Sequence, residues 1–534
     1  MTKSRKIDRL SLLIAVGLFL LSLTLRIPAS SESLWVDELH TAWTISGSFP
    51  EVSPRAAAGN QQAFYFQALW LWGKIGGQDE VTLRATSAIA VSLSCSLLFL
   101  FVSRRESRKR QGGMLCGTAA GLLLAVDGHS IYFGTELRPY AIVILMATIA
   151  CGCYASLWNQ TSADRRGSAT WVGLCLCIGT AAVCQITSLA VLGWLPLFLL
   201  AKWMYREGFR SFTLQPVDFA ILVFFGLVGW SILSVGTSSA WQDRELWSRF
   251  ASAHSLRQIW TIWPWKWVVV CPFTLWFIAF LVDRHGRRRR LGHSTEQEVR
   301  KLFYDSGSLT LSLLLVALLS TLLIWCVAYF EIVSLWHRRY LIATLPILCW
   351  CFGAALGTAS YTWFRRHGPA QMAGGAISII FIGMTMMDQG TASRLAKGYW
   401  PISRREDWRA AIAFVNERDA ESNEVEVCLD PGLIEQHSIE TPRLRVEQGE
   451  YLRYAIDGPY SLQGDTIWKV SVSGRRLSDA IESYEDPPAI VLSRRGKGRL
   501  QSILGATYSA HGFGNVSVGI RQSRNDFRDS GALE

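Results

Sequence analysis

Three short stretches of this 534-residue sequence carry the residues best suited to chemistry. The first is LWVDELHTAW (34–43), which sets Asp37 and Glu38 side by side between Trp35 and Trp43. The second is GHSIYFGTELRPYA (128–141), with Glu136, Arg138 and Tyr140, and the third is YFEIVSLWHRRYL (329–341), with Arg338, Arg339 and Tyr340. A positioned carboxylate can take a proton from an acceptor hydroxyl. An arginine clamps phosphate through paired N–H donors and steadies it as it leaves. Carboxylates and arginines on one face of a bundle therefore suit a reaction on a phosphorylated, membrane-held substrate. Each residue also has a plainer reading. Acids at a helix start complement its dipole, arginines at a helix end snorkel to headgroups, and Glu136 with Arg138 makes a weak exposed ion pair. Gln61, Gln62 and Tyr65 read equally as loop contacts. His40 lacks a second metal-binding partner in the sequence around it.

The elements that must position these residues are membrane helices. Half of the chain is hydrophobic, only 18% is charged, and the mean hydropathy is +0.22, which points away from an ordinary soluble protein. The 23 Trp suit interfacial belts. The net charge of +11 does not indicate nucleic acid, because the basic residues fall in short clusters between apolar runs. Most of the 12 Cys lie inside those runs as small hydrophobes, and the tail holds only Cys428, so no disulfide framework is expected. The basic flank and apolar run at the N-terminus read as an uncleaved first helix.

A spanning helix needs about 20 mostly apolar residues. About eleven segments qualify, near 10–27, 82–102, 113–128, 139–158, 169–184, 186–204, 217–235, 263–282, 309–328, 339–360 and 371–390. The third and fifth are short. Lys3, Arg5, Lys6 and Arg9 place the N-terminus in the cytoplasm, and later basic clusters recur in alternate loops. The first loop (28–80), the Glu136 segment, the charged aromatic stretch 238–260 and the Arg339 segment are then external. Leu34, Trp35, Leu39 and Trp43 are expected to anchor a surface helix. The expected division is a transmembrane domain, 1–390, and an extracytoplasmic soluble α/β domain, 391–534. In that tail REDWRAAIAFVNER reads as a helix with Trp408, Ile412 and Val415 inward. EVEVCLD and AIVLSRR read as strands, SAHGFGNVSVGIRQ as a loop and a strand, and RNDFRDSGALE as a frayed end.

With these motifs in view, the chain resembles the GT-C polytopic glycosyltransferases. The closest branch contains the protein O-mannosyltransferases, lipid A aminoarabinose transferases and lipopolysaccharide galacturonosyltransferases. The resemblance lies in LWVDELHTAW, NQQAFYFQALWLWGKIGGQDEVTLRATSAIA (60–90), YFGTELRPYAIVILMA (132–147) and RRYLIATLPIL (338–348), in order over residues 10–350. It implies a GT-C-like bundle that moves a sugar from a polyprenyl-phosphate donor to a lipid, glycan or protein acceptor at the outer membrane face, with inversion. It also implies Asp37 as the base, Glu38 as a neighbour holding acceptor or metal, and Glu136 as the second acidic position. Arg138, Tyr140, Arg338, Arg339 and Tyr340 become donor-phosphate contacts, and Gln61, Gln62 and Tyr65 acceptor or loop contacts. Members often carry His or Pro-Pro before the aromatic pair, where this chain has Gln61, Gln62 and Ala63. They also often carry a His-Tyr pair after the fifth helix, where it has Gln185. Some branches use a divalent metal ion and others none, so the cofactor stays open. The branch suggests a bacterial inner membrane. The alternative reading is a transporter or flippase for lipid-linked sugars, which calls for acids near mid-membrane depth. Asp127 is its one candidate.

Overall fold

The computed structural model describes residues 8–59, 61–105, 110–160, 169–207, 226, 251–287, 293–363, 369–397, 405–418, 424–433, 446–463, 467–473, 477–482 and 485–522. The expected span 217–235, residues 238–250 of the charged aromatic stretch and the expected frayed end lie outside them, apart from Gly226. The chain forms two compact units. One joins Met1–Ser30 to Arg84–Ile402, and the other joins Ser31–Leu83 to Ser403–Glu534. The expected first external loop, 28–80, thus falls almost wholly in the same unit as the tail.

The first unit is helical. Four helices among the described residues are long and apolar enough to cross a membrane: Glu80–Arg105, Tyr140–Leu157, Ile186–Arg206 and Gly307–Tyr329. Gly113–Val126 and Gly128–Gly134, bent by 59° at their junction, make a fifth if taken as one broken span. Shorter apolar helices occupy Arg9–Thr24, Ala169–Cys184, Lys266–Val282, Thr344–Ser360 and Met372–Asp388. Ten of the eleven expected apolar segments are therefore helical over most of their length. Small residues let the helices approach closely. Gly353 and Gly357, a Gly-x-x-x-Gly pair, lie against Ala120 and Cys116, where an added Cβ would overlap the neighbouring backbone or side chain. Most of the cysteines are buried in these helices, and none is in a disulfide among the described residues.

The second unit holds a five-stranded sheet in the order β2-β1-β3-β5-β4, with β1 Glu424–Asp430, β2 Ile467–Val472, β3 Ile490–Ser493, β4 Tyr508–Phe513 and β5 Val516–Arg521. β2, β1 and β3 run parallel, and β5 and β4 close the sheet antiparallel. The Trp408–Glu417 helix buries Trp408, Ile412 and Val415, as its spacing predicts. The stretch read as a loop and a strand is a hairpin of two strands. Its glycines obscure the first strand, but Gly514 takes φ +69 at the turn and lets the strands pair directly. The surface-helix expectation also needs correction. Leu34, Leu39 and Trp43 are only 1–3% exposed, and Trp43 packs with Ala58, Tyr451 and Leu452 of the same unit. These side chains are spent on protein contacts and are not available as membrane anchors.

Candidate functional site

The Val36–Ser46 helix carries the acidic pair, with both acids in its first turn, where its dipole favours negative charge. Asp37 is half-buried and Glu38 fully buried. The Glu38 carboxylate turns back to accept the Trp35 N–H at 3.4 Å, the reach expected of a glutamate three residues into a helix. The adjacent acids therefore differ in environment and in task. His40 packs its ring 5.0 Å from Tyr451, 5.9 Å from Trp43 and 6.1 Å from Phe66. It also lies against Gly59, where a Cβ would collide with the imidazole. Tyr65 is buried edge-on to Phe66. Gln61 is half-buried and donates to the Gly59 carbonyl at 3.3 Å, while Gln62, also half-buried, caps the Ala63–Gly76 helix by position only.

Residues 31–36, which lead into Asp37, are held by side chains from the tail. Arg409 donates to the Ser31 carbonyl at 3.3 Å, and its own N–H reaches Ser33 Oγ at 3.2 Å. Tyr460 Oη accepts the Leu34 N–H at 2.7 Å and donates to Glu80 Oε1 at 2.7 Å. Glu406 Oε2 accepts the Val36 N–H at 3.1 Å. Arg409 also reaches Glu80 at 2.5 Å. Burial pushes the Glu80 carboxyl up, but the bonds from Tyr460 and Arg409 outweigh it and hold it below the ordinary carboxylate range. Burial pushes the Tyr460 phenol up to about 12, so it stays a donor at any working pH. None of Glu80, Glu406, Arg409, Tyr460 and Arg494 stands out in the sequence. The one available signal is Asp407 ahead of a helical pattern, which marks a helix start and so an ordered chain at Glu406.

The second and third motifs lie in the helical unit. Glu136, Arg138 and Tyr140 are 3%, 6% and 8% exposed. Ser87 Oγ holds the Glu136 carbonyl at 2.7 Å, and the Arg138 N–H folds back to the same carbonyl at 2.9 Å. Pro139 then opens the Tyr140–Leu157 helix. Arg339 donates to Tyr340 Oη at 2.9 Å with its guanidinium 4.9 Å from the ring. Its carbonyl accepts from Gln185 at 2.7 Å, and its N–H reaches His337 Nδ1 at 3.2 Å. Glu136, Arg138, Arg339 and Tyr340 all lie within electrostatic reach of the Tyr140 hydroxyl. Two motifs some 200 residues apart thus come within electrostatic reach of one buried phenol. Arg338 is turned to other work: it donates to the Ile262 and Thr261 carbonyls at 2.8 and 3.1 Å and lies near Asp127.

Asp127 sits at the 59° bend and is consumed by it. One oxygen caps the His129 and Ser130 N–H groups at 3.0 and 2.9 Å, and the other accepts from Gln389 at 2.5 Å. Among the described residues no three His, Cys, Asp or Glu side chains group to hold a metal ion. The donor set of the candidate site does not fit one either, since the His40 ring is packed among aromatic side chains.

No protein-family model and no curated protein matches the sequence. Solved structures do match. The crystal structure of ArnT from Cupriavidus metallidurans bound to undecaprenyl phosphate matches at 12% identity and TM-score 0.47, over 96% of this chain and 98% of that one. The apo state of the same protein gives TM-score 0.48 at 12% identity, over 96% and 97%. An Archaeoglobus fulgidus oligosaccharyltransferase, in complex with Zn and sulfate, matches at 10% identity and TM-score 0.43, over 92% of this chain and 69% of that one.

Proposed function

We propose that the chain is an integral membrane glycosyltransferase of about eleven spans. It takes a sugar from a polyprenyl-phosphate donor at the extracytoplasmic face and passes it, with inversion, to a lipid, glycan or protein acceptor. The N-terminus is cytoplasmic, the unit containing the sheet is extracytoplasmic, and the membrane is a bacterial inner membrane. Asp37 takes the proton of the acceptor hydroxyl as that oxygen attacks the anomeric carbon. The bond to the polyprenyl phosphate breaks, and the phosphate leaves as an anion, steadied by Arg138 and Arg339. Phosphate is a good leaving group, so no separate general acid is required. The observation that supports the reading is that Glu136, Arg138, Arg339 and Tyr340, from two motifs far apart in sequence, all lie within electrostatic reach of buried Tyr140. Glu38 supports the start of the acidic helix, Gln61, Gln62 and Tyr65 border the acceptor, and Arg338 braces the Arg339 segment. The flippase reading gains no support from Asp127, whose oxygens are engaged in capping and in the bond to Gln389.

The test is transfer in proteoliposomes. Radiolabelled polyprenyl-phosphate mannose, aminoarabinose and galacturonic acid are supplied in turn, with a bacterial outer-membrane glycolipid fraction as acceptor. Asp37→Asn is expected to abolish transfer while the protein stays folded in the membrane. Full transfer by that variant would overturn the assignment. Movement of the donor across the bilayer without transfer would favour the flippase.

A further inference from the structure

We infer that Glu406, a residue of the tail, is a positioning residue for Asp37, acting through the first turn of the acidic helix. The inference rests on the reading of Asp37 as the base. The first N–H groups of a helix have no partner within it. Here Glu38 satisfies that of Trp35, and Glu406 Oε2 satisfies that of Val36, the residue before Asp37. The Glu406 carboxylate is itself held on every side. The same oxygen accepts the Trp408 indole N–H at 3.3 Å, and Oε1 accepts Arg494 Nε at 2.6 Å. The Arg494 guanidinium in turn lies 5.8 Å from the Trp35 ring, so the ion pair touches the helix start twice.

The backbone beneath Glu406 is fixed as well. Arg405 takes the left-handed conformation, φ 58, and Glu406 bridges to Gly514 at the turn of the β4–β5 hairpin. Asp407 N–H reaches the Phe513 carbonyl at 3.3 Å, while its side chain caps the following helix at Ala410. A Cβ at Gly514 would overlap the Arg405 carbonyl, so the glycine permits this approach. Glu406 is 7% exposed. A carboxylate buried and paired in this way cannot swing aside without stranding a charge. It therefore transmits the placement of the sheet hairpin to the helix that presents Asp37. A misplacement of about 1 Å at a reacting group can lower a rate about 100-fold, so the effect belongs in kcat and leaves substrate affinity alone.

Two readouts on the full-length protein test this. In the transfer assay, Glu406→Ala should lower kcat about 100-fold with both KM values within about twofold. Glu406→Gln, which keeps an oxygen for Val36, should recover at least about tenfold of that loss. Val491→Ala weakens the same sheet at a buried strand position away from Glu406, and should leave kcat per folded molecule unchanged. Amide hydrogen exchange over residues 34–38 is the second readout and needs no substrate. Glu406→Ala should speed exchange at Val36 at least about fivefold, and Val491→Ala should not do so selectively. Unchanged exchange at Val36, or a Glu406→Ala kcat no lower than that of Val491→Ala, would overturn the inference. If wild-type protein transfers none of the three sugars, the proposed function fails by itself and the exchange data still decide the role of Glu406.

Discussion

Replacing Tyr460 with Phe removes one oxygen and nothing else of the ring. That oxygen accepts the Leu34 N–H at 2.7 Å and donates to Glu80 at 2.7 Å. Leu34 is 1% exposed, so its N–H loses its partner with no water to replace it. Leaving a buried donor unsatisfied costs about 1–3 kcal/mol. The Leu34 loss alone should therefore open the segment about 5- to 150-fold more often, since each 1.4 kcal/mol is about tenfold, and at neutral pH the lost bond to Glu80 adds to it. The pH dependence follows from Glu80. Its folded carboxyl lies below the ordinary value because the bonds from Tyr460 and Arg409 outweigh burial. A carboxyl depressed in this way contributes stability that is fully present above its unfolded value, about 4.3, and is lost as pH falls through the folded value. Arg409 is half-exposed and solvent screens its share, so Tyr460 carries much of the depression. The variant should then differ most from wild type above about pH 5. Below about pH 4 the gap should narrow to the Leu34 contribution alone. Hydrogen exchange over 31–40, read from pH 7 downward, measures both parts. Equal protection of Leu34 in the two proteins at neutral pH would refute the reasoning, as would a gap that widens on acidification.

Other outcomes follow from the same contacts. Trp43→Ala removes a nearly buried indole that packs on Tyr451 and carries Arg55 over its face. It should destabilise the sheet-containing unit by about 3–5 kcal/mol, read as lost exchange protection in Val446–Asp457. Gly353→Leu drives a side chain into the Cys116 carbonyl and Ala120, and should lower the melting temperature and folded yield in detergent. A variant as stable as wild type would show that this helix pair does not pack through small residues. Arg339→Ala removes a guanidinium from the Tyr140 cluster and should raise the donor KM about 10- to 150-fold, the worth of a charge-assisted bond, with acceptor KM unchanged. An unchanged donor KM would remove Arg339 from the phosphate contacts.

What was legible in the sequence follows the range of the forces involved. The apolar helices and the Trp408, Ile412 and Val415 face are set by local periodicity, so they could be read directly. So could the parallel strand at 424–430, whose alternating Glu and Val lead into a buried stretch between its neighbours β2 and β3. The β4 strand escaped because its glycines suppress strand propensity, and its evidence is its pairing with β5. The acidic helix escaped in a different way. Leu34, Leu39 and Trp43 have the pattern of membrane anchors, and burial in lipid and burial against Tyr451 and Leu452 demand the same residue types. Hydrophobicity alone cannot tell the two solvents apart. At the candidate site, the choice of Asp37, Glu136, Arg138 and Arg339 as candidates was legible in residue type and order. The division of labour within each motif was not, because it depends on partners far along the chain. Glu38 differs from Asp37 only by one position on a helix, yet that step turns it inward to cap Trp35. Arg338 differs from Arg339 by one position too, and is drawn to the carbonyls of Thr261 and Ile262 while Arg339 stays beside Tyr140. Glu406 lies 370 residues from the N–H it accepts. Polar contacts at that separation leave no periodic trace, and they distinguish a residue that acts on substrate from one that holds another in place.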